Sequence, residues 1–252
     1  MSGYGELFAR AYNIRWSAYA RRVAPLIYDF CRTLGVGTEG SSVLDLCCGT
    51  GQLAEYFLAQ GCDVTGLDLS PYMLKHAEEN AQEYVLAGKA RFIQGDATDF
   101  TLDRLCHLAV CTFSAMNHLA DESALERCFR CVRNVCDGPF VFDIDTVRGV
   151  KASTMFQVDD LTEEMLLVSQ GVYDPGRRRA CLRFVGCAAT ASGEHFRFDE
   201  TVYHTGFELE VIEDVLRGAG WTKHRFSRID DLQTALSRTD AQQQTRIFVC
   251  AC

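Results

Sequence analysis

The sequence predicts an α/β fold: a seven-stranded, mostly parallel sheet with helices on both faces, carrying an inserted antiparallel β cap. Three observations carry this. Short apolar runs alternate with helix-length amphipathic segments between residues 43 and 145, the pattern of parallel strands joined by crossover helices. The run Val43–Leu46 leads straight into the glycine turn Gly49-Thr50-Gly51 and a helix start. Residues 150–205 then switch to period-two alternation between turns, as in an antiparallel meander.

Residues 4–34 form the first helical segment. Leu7, Phe8, Ala11, Ile14, Tyr19, Val23, Leu26, Ile27, Phe30 and Leu34 recur near helical spacing, and Pro25 is expected to break the segment in two. Gly35–Ser41 is a linker. Val43, Leu44 and Leu46 suit a strand covered on both faces. Gly49 and Gly51 supply φ freedom and let a ligand approach the backbone, while the following helix offers free N–H groups and a positive dipole end to an anionic group. Asp45 stands four residues before Gly49. A pyrophosphate-binding turn has no use for a carboxylate there, whereas a ligand with an ammonium group has.

A second strand near 63–67 ends at Asp68, 17 positions after Gly51, where a carboxylate can accept both hydroxyls of a ribose. Ser70 reads as an N-cap with Pro71 at the first helical position. A third strand near 90–94 ends in Gly95-Asp96-Ala97, where Asp96 can also form an Asx-turn. The fourth strand, 108–111, runs into Thr112-Phe113-Ser114-Ala115-Met116-Asn117-His118-Leu119, and the fifth spans 139–144. The cap follows, with turns at Asp174-Pro175-Gly176 and Ala191-Ser192-Gly193. A helix ended by Gly218-Ala219-Gly220, then strands near 221–227 and 246–251, complete the sheet. This gives one domain from 1–149 and 206–252, with 150–205 as a substrate lid.

These four strand ends, Val43–Ala54, Val64–Ser70, Ala90–Phe100 and Leu108–Leu119, resemble the motifs of class I S-adenosylmethionine (SAM)-dependent methyltransferases, whose sheet is Rossmann-like. The Asn117-His118-Leu119 run is similar to glycine, sarcosine and amino-sugar N-methyltransferases. The resemblance implies SAM as cofactor and S-adenosylhomocysteine (SAH) as product. It implies a cofactor site of Asp45, Cys47, Gly49, Gly51, Asp68, Leu69, Met73, Asp96 and Ala97, with Met73 and Ala97 beside the adenine and Asp96 accepting from its amine. Met73 on its own reads equally as a core methionine.

Methyl transfer from a sulfonium is a direct displacement, so the enzyme aligns the acceptor and excludes water. No metal is expected. Tyr12, Trp16 and Phe113 are candidates to face the sulfonium cation, and Tyr12 and Trp16 share a helix face. Packing of the N-terminal helix explains that pair equally well. His118 is the candidate general base, with a structural role the competing reading. Substrate contacts are expected from Ser114, Asn117 and His118, and from Arg183 and Tyr203 in the cap, where Arg197, His195 and His204 are further candidates. The acceptor is expected to be a small molecule, first an amine and otherwise a hydroxyl or carboxyl.

The chain's 252 residues are 48% hydrophobic and 23% charged, ordinary for a globular protein. A net charge of −9 disfavours a nucleic-acid partner. The Arg177-Arg178-Arg179 run reads as a solvated hairpin turn. No leader or membrane span is evident, which predicts a cytoplasmic monomer or homodimer without membrane partners. The thirteen cysteines read as reduced thiols, and Cys128-x-x-Cys131, without a second ligand pair, as no zinc site. Two other classes compete. An NAD(P)-dependent oxidoreductase predicts a glycine where Asp45 or Leu46 stands and a third where Ala54 stands, although alanine is tolerated there; Asp45 and the Asp96-Ala97 pair argue against it. A catalytically silent binding protein of the same fold is compatible with the motifs.

Overall fold

The computed structural model describes residues 4–162, 165–190 and 192–252. Ala191, quoted above in the second turn of the cap, lies outside them. Helix α1 (Glu6–Arg15) turns at Trp16 into α2 (Ser17–Thr33). Pro25 lies inside α2 and does not divide it. A proline in a helix interior costs about 3 kcal/mol. Here its neighbours Val23, Ala24, Ile27 and Phe30 are buried against the central domain, each large side chain contributing about 1.5–3 kcal/mol. The division falls at Trp16 instead, where α1 packs between α4 and β9 of the antiparallel sheet and α2 packs on α3 and β11.

The parallel core alternates β1 (Ser42–Leu46), α3 (Gln52–Ala59), β2 (Asp63–Asp68), α4 (Pro71–Asn80), α5 (Gln82–Leu86), β3 (Ala90–Gln94) and β4 (Leu108–Cys111). A 3₁₀ turn (Ala115–His118), α6 (Glu122–Val135) and β5 (Phe140–Asp145) follow. After α7 (Val147–Ala152) come four antiparallel strands, β6 (Gln157–Thr162), β7 (Met165–Asp174), β8 (Arg179–Ala189) and β9 (His195–Thr205). Then α8 (Leu209–Gly218), β10 (His224–Arg228), β11 (Asp231–Ala235), α9 (Arg238–Gln243) and β12 (Arg246–Ala251) close the chain.

The main sheet runs β11-β10-β12-β5-β4-β1-β2-β3. It has eight strands, not seven. The addition is β11, paired antiparallel to β10 at the edge. Only Leu232 of this strand is buried, so no apolar alternation announces it. Strands β3, β2, β1, β4 and β5 are mutually parallel, and β12 returns antiparallel to β5. From β1 the chain winds first toward β2 and β3, then crosses to β4 and β5. The carboxyl ends of β1 and β4 therefore flank the switch point where such sheets bind ligands.

The expected antiparallel cap is a separate sheet, β6-β7-β8-β9. Its inner face sets Met165, Leu167, Ala188, Phe196 and Phe198 against Phe8 and Met73. The Asp174 carboxylate accepts the N–H groups of Gly176 (2.9 Å) and Arg177 (3.2 Å), closing the expected hairpin. All thirteen cysteines are free. No helix among the described residues is long and apolar enough to cross a membrane.

Candidate active site

The loop after β1 turns through three left-handed residues. Cys47, Gly49 and Gly51 all have positive φ, at 56°, 55° and 83°. Gly49 donates its N–H to Asp68 Oδ2 (2.9 Å) at the tip of β2. Asp68 Oδ1 accepts from the Ser70 N–H (2.9 Å), and Ser70 caps α4 by accepting from Met73 N–H. One carboxylate thus ties the glycine turn to the next helix start. Gly51 has a different reason from ligand approach: a Cβ there would lie 2.9 Å from Ala77 Cβ, so it serves the packing of α3 on α4.

Two cavities meet above this loop. The first, about 400 Å³, is walled by Asp68, Leu69, Met73, Asp96 and Ala97 on the core side and by Glu200 and Tyr203 of β9 opposite. Cys47, Gly49 and Phe113 also line it. The second, about 580 Å³, lies under the antiparallel sheet between Trp16, Tyr19, Phe184, His204 and Arg246. Tyr4, Tyr12, Phe113, His118 and Val202 line both. A narrow recess beside them is lined by Tyr12, Trp16, Tyr19, Asp45 and Gln52.

Asp45 is 2% exposed. Its Oδ2 has no hydrogen-bond partner among the described residues, and burial pushes its pKa up to about 8. A buried carboxylate oxygen left open beside a recess is unfavourable unless a cation or donor arrives. It fits the ammonium of SAM. Asp68, raised by burial against three backbone N–H bonds, faces the first cavity where ribose hydroxyls would reach it. Asp96 accepts the N–H and hydroxyl of Thr98, both at 2.8 Å. The Asx-turn and the cavity wall are therefore both its positions. These residues fit the cofactor that the motifs imply.

At the end of β4, Phe113 and Ser114 both adopt positive φ, 66° and 57°, a strain of order 1–3 kcal/mol each. Asp143 holds them there. Its carboxylate accepts Phe113 N–H at 3.0 Å and Ser114 N–H at 2.5 Å, and also the Tyr19 hydroxyl. Burial raises the Asp143 pKa and Arg246 opposes this. Arg246 forks onto Asp145 at 2.6 and 3.2 Å and lies over the rings of Tyr19 and Phe113.

His118 Nε2 shares a 3.0 Å hydrogen bond with the Tyr4 hydroxyl, and its ring stands edge-on to His204 at 4.6 Å. Burial pushes His118 down to about 3 and His204 to about 4. Both imidazoles are neutral at pH 7. Asn117 lines neither cavity. It donates to Asp145 O (2.9 Å) and Thr205 O (2.8 Å) and accepts from Asp145 N–H (2.8 Å), clamping the 3₁₀ turn to β5 and β9. Ser114 is fully buried and also lines neither. Arg183 is on the outer face of β8, forked onto Asp199 at 2.8 and 2.6 Å, away from the site. His195 and Arg197 are exposed. Tyr4, Tyr19, Glu200 and Arg246 face the cavities without having been anticipated. Arg246, opening an otherwise buried strand beside Asp143 and Asp145, was the one readable signal.

Comparison with known proteins agrees. A methyltransferase-domain family model matches residues 43–136. The chain is 30% identical over 198 residues to a ubiquinone biosynthesis O-methyltransferase of Vibrio vulnificus, covering 75% of this chain and 82% of that protein. It is 40% identical over 120 residues, 48% of this chain and 46% of the relative, to a dTDP-3-amino-3,4,6-trideoxy-α-D-glucopyranose N,N-dimethyltransferase of Streptomyces venezuelae. A crystal structure of a SAM-dependent methyltransferase from Clostridium acetobutylicum superposes with a TM-score of 0.79 at 20% identity, covering 97% of this chain and 96% of that one. With this likeness over most of its length, the chain belongs to the SAM-dependent methyltransferases.

Proposed function

We propose that this enzyme methylates the nitrogen of a small-molecule amine, held in the second cavity, with residues 150–205 as the lid over it. The observation that carries this is the aromatic wall where the two cavities meet. Tyr4, Tyr12 and Phe113 line both cavities, and Trp16 and Tyr19 flank them. Rings around a transferring methyl attract both the sulfonium and the ammonium product.

SAM when bound supplies a methyl group on a positively charged sulfur. The protein's part is placement. Asp45 takes the ammonium, Asp68 the ribose, and Asp96, Ala97 and Met73 the adenine. Phe113, fixed by Asp143, sets the floor between donor and acceptor. His118 at a pKa of about 3 is too weak a base to take a proton from an ammonium. It serves as the neutral hydrogen-bond partner of Tyr4, and the acceptor enters as free amine. The Streptomyces relative is named as an N,N-dimethyltransferase, which accords with this reading. The Vibrio relative's name makes it an O-methyltransferase. A hydroxyl acceptor has to lose a proton at transfer, and the two imidazoles at the second cavity are both depressed.

The test is SAH release with matched amines and alcohols sharing one carbon frame. Turnover is expected on the amine, rising tenfold per pH unit below the amine's own pKa. Turnover on the alcohol alone would refute the nitrogen assignment.

A further inference from the structure

The three consecutive arginines at the β7–β8 hairpin have separate fates. Arg177 is 83% exposed, beside Asp174. Arg178, at φ 50°, reaches Glu122 and Glu208. Arg179 turns the other way and lines the first cavity. Its guanidinium lies 4.8 Å over the Tyr203 ring. Its Nε is buried and has no hydrogen-bond partner among the described residues.

Arg225 Nε is likewise buried without a hydrogen-bond partner among the described residues, but Arg179 is the one of the two that lines the first cavity. Acids outnumber bases, 34 to 25, and Arg178 next door meets two of them. The cavity's carboxylates are otherwise engaged. Asp68 accepts from Gly49 and Ser70, Asp96 from Thr98, and Glu200 from the Gly5 N–H at 3.2 Å. Glu200 pairs with Phe184 while Arg179 pairs with Thr205. Their backbones are thus five residues apart along β9, roughly 17 Å at strand rise, while both side chains line the same cavity. A stacked guanidinium with a dry, open Nε is built to receive a planar or tetrahedral oxyanion through two parallel N–H bonds.

We propose that Arg179, stacked on Tyr203 on the β9 side of the first cavity, binds an oxyanion, a carboxylate or a phosphate, carried by a methyl acceptor that extends from the second cavity past Tyr4, His118 and Val202, which line both. The proposal rests on the reading of the enzyme as an amine methyltransferase and narrows its substrate to amines bearing an acidic group. Arg179 is a specificity residue and takes no part in the transfer itself.

The experiment is calorimetric titration of the full-length protein with inorganic phosphate and with acetate, each with and without saturating SAH. Wild-type protein is expected to bind at least one probe saturably, in the millimolar range. Arg179→Gln is expected to weaken that binding at least tenfold, while leaving SAH affinity within twofold. Arg179→Lys should recover part of it, since the charge returns but the fork does not. Arg177→Gln should bind as wild type. Phosphate alone assigns a phosphorylated acceptor, acetate alone a carboxylic one, and both a fork that accepts either. Equal binding by wild type and Arg179→Gln, or no saturable binding of either anion, overturns the proposal. Because the anions are also titrated without SAH, a failure to hold SAH would be seen separately and would count against the methyltransferase reading instead.

Discussion

Asp45 makes a quantitative demand on cofactor binding. In the free enzyme its carboxyl is held up to about 8 by burial, so at pH 7 it is mostly protonated. An ammonium partner favours the carboxylate. Binding of SAM must therefore release a proton from Asp45, about 0.9 per site at pH 7, and affinity should rise close to tenfold per pH unit from about 5 to 8 before levelling. The same shift has the opposite sign for the free protein. A carboxyl whose folded pKa exceeds its unfolded value of 3.8 stabilises the fold most below that value. Its contribution is lost as pH rises through 8, by about 5–6 kcal/mol as an upper bound. Saturating SAM should flatten this decline. The assay is calorimetry at pH 7 in two buffers of different ionisation enthalpy, repeated on Asp45→Asn. Wild type should show buffer-dependent heat. The variant should show none, with affinity reduced about 10–100-fold by loss of one charged hydrogen bond. Buffer-independent heat for the wild type, with tight binding at pH 6, would refute the assignment of the ammonium to Asp45.

Three further outcomes follow from the geometry. Asp143→Ala leaves two positive-φ amides without their acceptor and should cost about 2–4 kcal/mol in urea unfolding; a loss under 1 kcal/mol would mean the loop relaxes. Gly51→Ala should destabilise by about 2–3 kcal/mol through its left-handed φ and the contact with Ala77, yet leave SAH affinity of the folded protein within threefold. Cys47 lines the first cavity while Cys48 is buried, so with the exposed Cys187 and Cys252 replaced by serine, maleimide labelling of Cys47 should block SAM binding and be slowed by SAH; SAM affinity unchanged after Cys47 is labelled would remove it from the cofactor wall.

The parallel core was legible because each strand's carboxyl end coincides with a chemical landmark: Asp45, Asp68, Asp96 and Phe113 all follow apolar runs. What periodicity could not convey was which polar side chains turn inward at the same strand ends. Asn117 and His118 are neighbours in one motif, yet the first is consumed by three backbone bonds and the second faces both cavities. In the cap, alternation correctly divides β8 and β9 into two faces but does not say which is outward. Arg183 therefore pairs with Asp199 on the outside, while Arg179, four residues earlier at the start of β8, lines the cavity. Pro25 misled for an energetic reason, since burial along α2 exceeds the proline penalty.

The N-terminal aromatics pack α1 onto the domain and also line the cavities. Tyr4, Phe8, Tyr12 and Trp16 recur every four residues, which puts them in one row where the chain is helical. Successive rings lie 4.8, 6.4 and 5.5 Å apart. The row packs with Met73, Phe198 and Phe184; Tyr4 and Tyr12 line both cavities, and Phe8 and Trp16 the second. The contacts that dock α1 are thus the contacts that close the site over donor and acceptor. Loss of one ring loosens the helix and opens the cavity to water together, so stability and methyl transfer should fall in proportion for Tyr12→Ala. Tyr12→Phe, which keeps the ring, should preserve both.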